Sequence, residues 1–154
     1  MNGRIGVLLV SILSVPAHVY AGPVAAATPN IEPSRIAYRQ DNDFGHTYVL
    51  NDSSVFVVRG GGAGKIALAT LFFHGAIDKE TLANRMLWML AAANVPAEFY
   101  AWAKKSLPAN WQLEKDSFLL PLRSERFGTH EFTYSNTGHN QLYILTYRWL
   151  AAER

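Results

Sequence analysis

DKETLANRMLWMLAAANVPAEFYAWAKKSL, residues 78–107, is the one long segment with a plain helical period. Asp78 suits the N-cap, because its side-chain oxygen can accept from an unpaired amide of the first turn. Behind it, Leu82, Met86, Met89, Leu90 and Ala93 recur with a spacing that lines one face of a 3.6-residue helix. Asn94-Val95-Pro96 ends this helix, since a residue before proline avoids the α region. Pro96 suits the first position of a second helix, with Glu98 favoured in the first turn by the helix dipole. Phe99, Trp102, Ala103 and Leu107 give it an apolar face, Lys104 and Lys105 sit near its end, and Pro108 stops it. The pair is a helix–turn–helix in outline only. A DNA reader needs a basic recognition helix, and here the second helix carries just the terminal lysine pair.

Sequence on both sides of this block reads as β. The expected fold is therefore α+β: an antiparallel sheet of five or six strands, with two or three central helices packed on one face. On the N-terminal side, Ile36–Gln40 is a candidate strand. Thr47–Leu50 and Val55–Arg59 form a hairpin across the four-residue loop 51–54. Asp41-Asn42-Asp43 with Gly45 is a turn cluster, because the spacing and final glutamate of a calcium loop are missing. Ile66–His74 is almost wholly apolar, so periodicity cannot fix its state. Its alanines and leucines, with Gly75 as a C′ residue, favour helix over strand.

On the C-terminal side, Trp111–Glu114 and Ser117–Arg123 read as short strands, and Pro121 either places the second at an edge or ends it early. His130–Ser135 and Asn140–Trp149 form the strongest hairpin signal. With Ser135 opposite Asn140, Phe132 would face Tyr143 as an aromatic pair. The second strand is apolar on both faces, which suits an interior position or a face set against a partner.

The remaining sequence bears on location. The 154 residues suit one domain, and 49% apolar against 17% charged is a globular composition. A net charge of +2 is too small to imply a polyanionic partner, despite a pI near 9.0. Residues 1–21 have the form of a signal peptide: Arg4, an apolar run from Ile5 to Val15 too short to span a bilayer, and Val19-Tyr20-Ala21 before the cut. Ala27 offers a second site. Residues 22–35 are small and proline-rich and read as a flexible linker, leaving 36–154 as the domain. Loss of Arg4 takes the charge from +2 to +1, and no cysteine is present for disulfides or a lipid anchor. A periplasmic or secreted bacterial protein, without a membrane anchor after cleavage, is the expectation.

Gly60 to Lys65 imitates a P-loop. In the pattern G-x-x-x-x-G-K-S/T, the first glycine would fall at Arg59, and Ile66 stands where the magnesium-binding hydroxyl belongs. The stretch is first a turn; its second reading is a simple anion or ligand site made by Arg59, Gly62, Gly64 and Lys65. His130-Glu131 begins a zinc-protease pattern that Tyr134 interrupts. In the register above, His139 lies about 15 Å along the hairpin from His130. No metal or cofactor is implied. There is no serine-hydrolase elbow or cysteine nucleophile. Glu114, Asp116, Glu125 and Glu131 leave a carboxylate-dependent cell-wall hydrolase as a third reading.

Many aromatics and few charges favour binding over catalysis. Tyr134, His139, Tyr147 and Trp149 are the candidate interface anchors. The leading expectation is a small exported protein that binds another protein, such as an inhibitor or an immunity protein against a secreted toxin. The alternative is a small-ligand or anion carrier with its pocket between sheet and helices and Arg59 and Lys65 at the mouth. Neither reading involves nucleic acid.

Overall fold

The computed structural model describes residues 28–43, 45–60, 66–75, 77–107, 117–124, 126–139 and 141–150. In chain order these form β1 (Ile36–Asn42), β2 (Gly45–Leu50), β3 (Val55–Gly60), β4 (Ile66–His74), α1 (Lys79–Ala92), α2 (Ala97–Ser106), β5 (Ser117–Ser124), β6 (Gly128–Asn136) and β7 (Leu142–Leu150). All strands join one antiparallel sheet in the order β1-β2-β3-β4-β7-β6-β5. The first four strands meander. The helices then carry the chain to the far edge, and β5, β6 and β7 return until β7 closes against β4.

The α+β class holds, but among the described residues the sheet has seven strands rather than five or six. Ile66–His74 is the largest correction: it is β4 and not a helix. Hydrogen-bonded on one side to β3 and on the other to β7, it carries apolar residues on both faces, so no period-2 alternation marks it. Gly75 does take a positive φ of 127°, but it turns the chain out of a strand rather than capping a helix. Pro121 lies on β5, an edge strand, where its missing N–H is tolerated. The expected strand Trp111–Glu114 falls outside the described residues.

Asp78 caps α1, its carboxylate accepting from Thr81 N at 2.7 Å and Thr81 Oγ1 at 2.8 Å. The helix stops by more than the pre-proline effect. Val95 N donates to Leu90 O and Asn94 N to Ala91 O, a Schellman arrangement with Asn94 left-handed at φ 53°. Pro96 stands at the N-cap of α2, one residue before the expected place.

Strand register assigns side chains to faces. Tyr48, Phe56, Leu71, Leu145 and Tyr134 form one cross-strand row, and Val58, Ala69, Tyr147, Phe132 and Leu120 form the next. Every member of both rows is buried. Leu82, Met86, Met89 and Leu90 of α1 and Phe99 and Ala103 of α2 belong to the same core. Trp88 meets Phe56 edge-on at 4.9 Å between ring centroids, and Phe99 stacks on His130 at 3.7 Å. A fully buried side chain of this size contributes roughly 1.5–3 kcal/mol through burial.

The last hairpin corrects the expected register. Phe132 faces Tyr147, not Tyr143, and Ser135 faces Ile144, not Asn140. The loop is longer than read because it holds its own bonds: Thr137 Oγ1 donates to Leu142 O, Gly138 N donates to Asn136 Oδ1, and Gln141 is left-handed. The slip of four residues is even, so each side chain keeps the face expected of it. The aromatic pair survives with another member, Phe132 and Tyr147 lying 5.3 Å apart.

Residues 28–35, inside the segment read as a linker, dock on the domain. Asn30 N donates to Ala92 O, Asn94 Nδ2 donates to Thr28 O, and Ile31 is buried. A 3-10 turn, Pro33–Arg35, leads into β1.

Candidate functional site

Alternation along the same strands builds a second face. One row crosses it as Tyr38, Val49, Val55, Phe72, Ile144 and Ser135. The next runs Gln40, Thr47, Val57, Thr70, Thr146, Thr133 and Leu119, with Thr70 and Thr146 hydroxyls 3.4 Å apart. A third holds Arg59, Leu68, Arg148, Glu131 and Pro121. Val49, Val55, Val57, Phe72 and Ile144 are half-buried, while Tyr38 and Leu119 are 57% and 60% exposed. None of these belongs to the hydrophobic core or packs against it among the described residues. The face therefore grades from an apolar row through a β-branched hydroxyl row to a charged row in which arginines outnumber the glutamate. A contiguous apolar sheet face of this kind is the usual mark of an interaction surface.

A cleft of about 340 Å³ opens on the helical side of the sheet. Thr81, Asn84, Arg85 and Trp88 line it from successive turns of α1, and Leu50 and Leu71 form its apolar floor. Arg35 and Asp52 complete the lining. They are brought together because Asn51 N donates to Arg35 O at 3.0 Å and Asn51 Nδ2 to Ser34 O at 2.6 Å, tying the 3-10 turn to the β2–β3 loop. Arg35 lies over the Trp88 ring at 5.4 Å and Arg85 over Phe73 at 4.2 Å. Asp52 accepts from Ser54 N at 2.9 Å, while its other oxygen stands 4.0 Å from Arg85 Nη1. Burial pulls the Arg85 guanidinium below its ordinary pKa.

His130 is fully buried among Phe99, Tyr147 and Trp149. Its Nε2 donates to the Phe127 carbonyl at 3.2 Å, which can only accept, so neutral Nδ1 accepts from the Tyr147 hydroxyl at 2.8 Å. Burial pushes its pKa down to about 4 and raises that of Tyr147. Both nitrogens are engaged and shielded from water, so the imidazole organises the core rather than reacting. At a sheet corner, Asp41 accepts from Arg39 Nε at 2.8 Å and lies 2.6 Å from His46 Nδ1. The Arg39 hydrogen bond, then that of His46, holds this carboxyl below its usual range.

The residues expected from sequence to act together are scattered. Arg59 lies on the outer face of β3, and Gly62, Gly64 and Lys65 lie outside the described residues. Arg59 is not at the mouth of the cleft. Tyr134 and Tyr147 are 2% and 0% exposed, so they belong to the core and are closed to a partner. His139 is exposed in the β6–β7 loop, and Trp149 is half-buried against His130. Among the carboxylates, Glu131 sits on the outer face opposite Arg148; Glu114, Asp116 and Glu125 lie outside the described residues. Among the described residues, no group of three metal-ligating side chains occurs, and no helix is long and apolar enough to cross a membrane. Sequence reading allowed a partner-facing strand and a pocket between sheet and helices, but missed the residues that form the outer face and the cleft. Thr81, Asn84, Arg85 and Trp88 do share a helical stripe, a polar signal beside the apolar one.

Comparison of the chain with protein-family models, with curated proteins and with solved structures found no match.

Proposed function

We propose that this chain is an exported protein that binds another protein through the outer face of its sheet, in the manner of an inhibitor or of an immunity protein against a secreted toxin. The observation that carries the reading is the row Tyr38–Val49–Val55–Phe72–Ile144, apolar across five strands and outside the core. Burying such a row against a partner would add the apolar contribution that the described residues leave unused. The adjoining Arg59 and Arg148 favour a partner whose apolar patch has an acidic margin, and would act mainly on encounter rate and orientation. Export rests on the N-terminal sequence. The test is capture by the full-length tagged chain from periplasm and culture fluid, run beside Val57→Arg and Thr146→Arg. Both substitutions place a bulky charge on the outer face. Loss of one stoichiometric partner in both variants, with unchanged thermal unfolding, supports the reading; equal capture by wild type and variants refutes it.

A further inference from the structure

We propose that the cleft between α1 and the β2–β3 loop binds a small organic carboxylate, its charge met by Arg35 and Arg85 and its apolar body by Leu50, Leu71 and Trp88. This is independent of the outer-face reading, since the cleft opens on the other side of the sheet.

Among the described residues, two guanidinium groups line the cleft with one carboxylate, that of Asp52, an excess of one positive charge. Asp52 does not consume their donors. One of its oxygens accepts from Ser54 N, and the other is 4.0 Å from Arg85 Nη1, beyond hydrogen-bond reach. Arg85 Nε is buried with no hydrogen-bond partner among the described residues. Arg85 lies over Phe73 and its side chain keeps 26% of its surface exposed, so the exposed part of the guanidinium is what an anion in the cleft can meet. Arg35 is held over Trp88 and pinned through its carbonyl to Asn51, so both forks are positioned before any ligand arrives.

The chemistry of the ligand follows from the lining. An excess of one positive charge suits a monoanion, and Asp52 would repel a dianion such as phosphate. The planar arginine fork matches a carboxylate. The floor of Leu50 and Leu71, walled by the Trp88 indole, takes hydrocarbon or an aromatic ring.

Calorimetric titration of the full-length chain with benzoate tests this, with benzyl alcohol as the uncharged analogue and inorganic phosphate as the anion lacking a body. Benzoate should bind saturably at one site, with benzyl alcohol and phosphate each weaker by about tenfold or more. Arg35→Gln should weaken benzoate by a similar factor, and Asp52→Asn should tighten it. Arg85→Gln should also weaken it, but Arg85 packs on Phe73, so the variant at the exposed Arg35 is decisive if the Arg85 variant unfolds. Absence of saturable benzoate binding, equal affinity for benzyl alcohol, tighter binding of phosphate, or an unchanged affinity in Arg35→Gln would each overturn the proposal.

Discussion

Acidification should destabilise this fold through His130. Folded, the imidazole is neutral with a pKa pushed to about 4, against 6.5 in an unperturbed histidine. Between these values the unfolded chain binds a proton that the folded chain refuses, so stability falls as pH falls. The contribution is fully present above 6.5 and has been lost below 4. At about 1.4 kcal/mol per pH interval, moving from pH 7 to 4.5 should remove about 2.5 kcal/mol. Asp41, Asp52 and Asp78 titrate in the folded state below their ordinary 3.8, so their losses lie at lower pH than that of His130. The assay is urea unfolding across that range, beside the double variant His130→Phe with Tyr147→Phe. That pair removes both hydrogen-bonding groups and keeps the aromatic stack, although the Phe127 carbonyl loses its partner. The variant should start from a different stability and show little slope between pH 6.5 and 4.5. A wild type that is flat there, or a variant with the wild-type slope, would refute the reasoning.

Two local predictions accompany it. Asn94→Ala should lower unfolding stability by about 1–2 kcal/mol, because an alanine resists the left-handed conformation of the α1 C-terminus; Asn94→Gly should recover much of the loss in the same chemical denaturation. Gly45→Ala should cost about 1–3 kcal/mol, since a β-carbon there would overlap the backbone carbonyl oxygen of Val58, which cannot swing aside. Its midpoint should fall without a change in denaturant slope.

What the sequence shows and what it hides follow from the range of the interactions. The cap at Asp78 and the buried face of α1 are set within a few residues, and they read directly. Ile66–His74 hides because its state is fixed by strands from both ends of the chain, β3 and β7. The apolar run that results resembles a buried helix as much as a central strand. In the last hairpin, alternation fixed the faces, but the offset depended on bonds made by Asn136, Thr137 and His139 inside the loop. Tyr134 and Tyr147 looked like anchors because aromatic content alone does not separate core from interface. The cleft joins Arg35, Asp52 and Arg85, which only the sheet and the 3-10 turn bring together. The make-up of the outer face was hidden for a related reason: each strand contributes one residue to each row, and the rows exist only in register.

The partner assay bears most directly on function. Full-length tagged wild type, Val57→Arg and Thr146→Arg would be incubated with native periplasm and culture fluid, and retained proteins identified and quantified by mass spectrometry. Thermal unfolding would be measured on the same preparations. The outer-face reading predicts one stoichiometric partner on wild type, lost from both variants at unchanged melting temperature. Retention of the same partner by both variants, or a wild type that retains none, would contradict it.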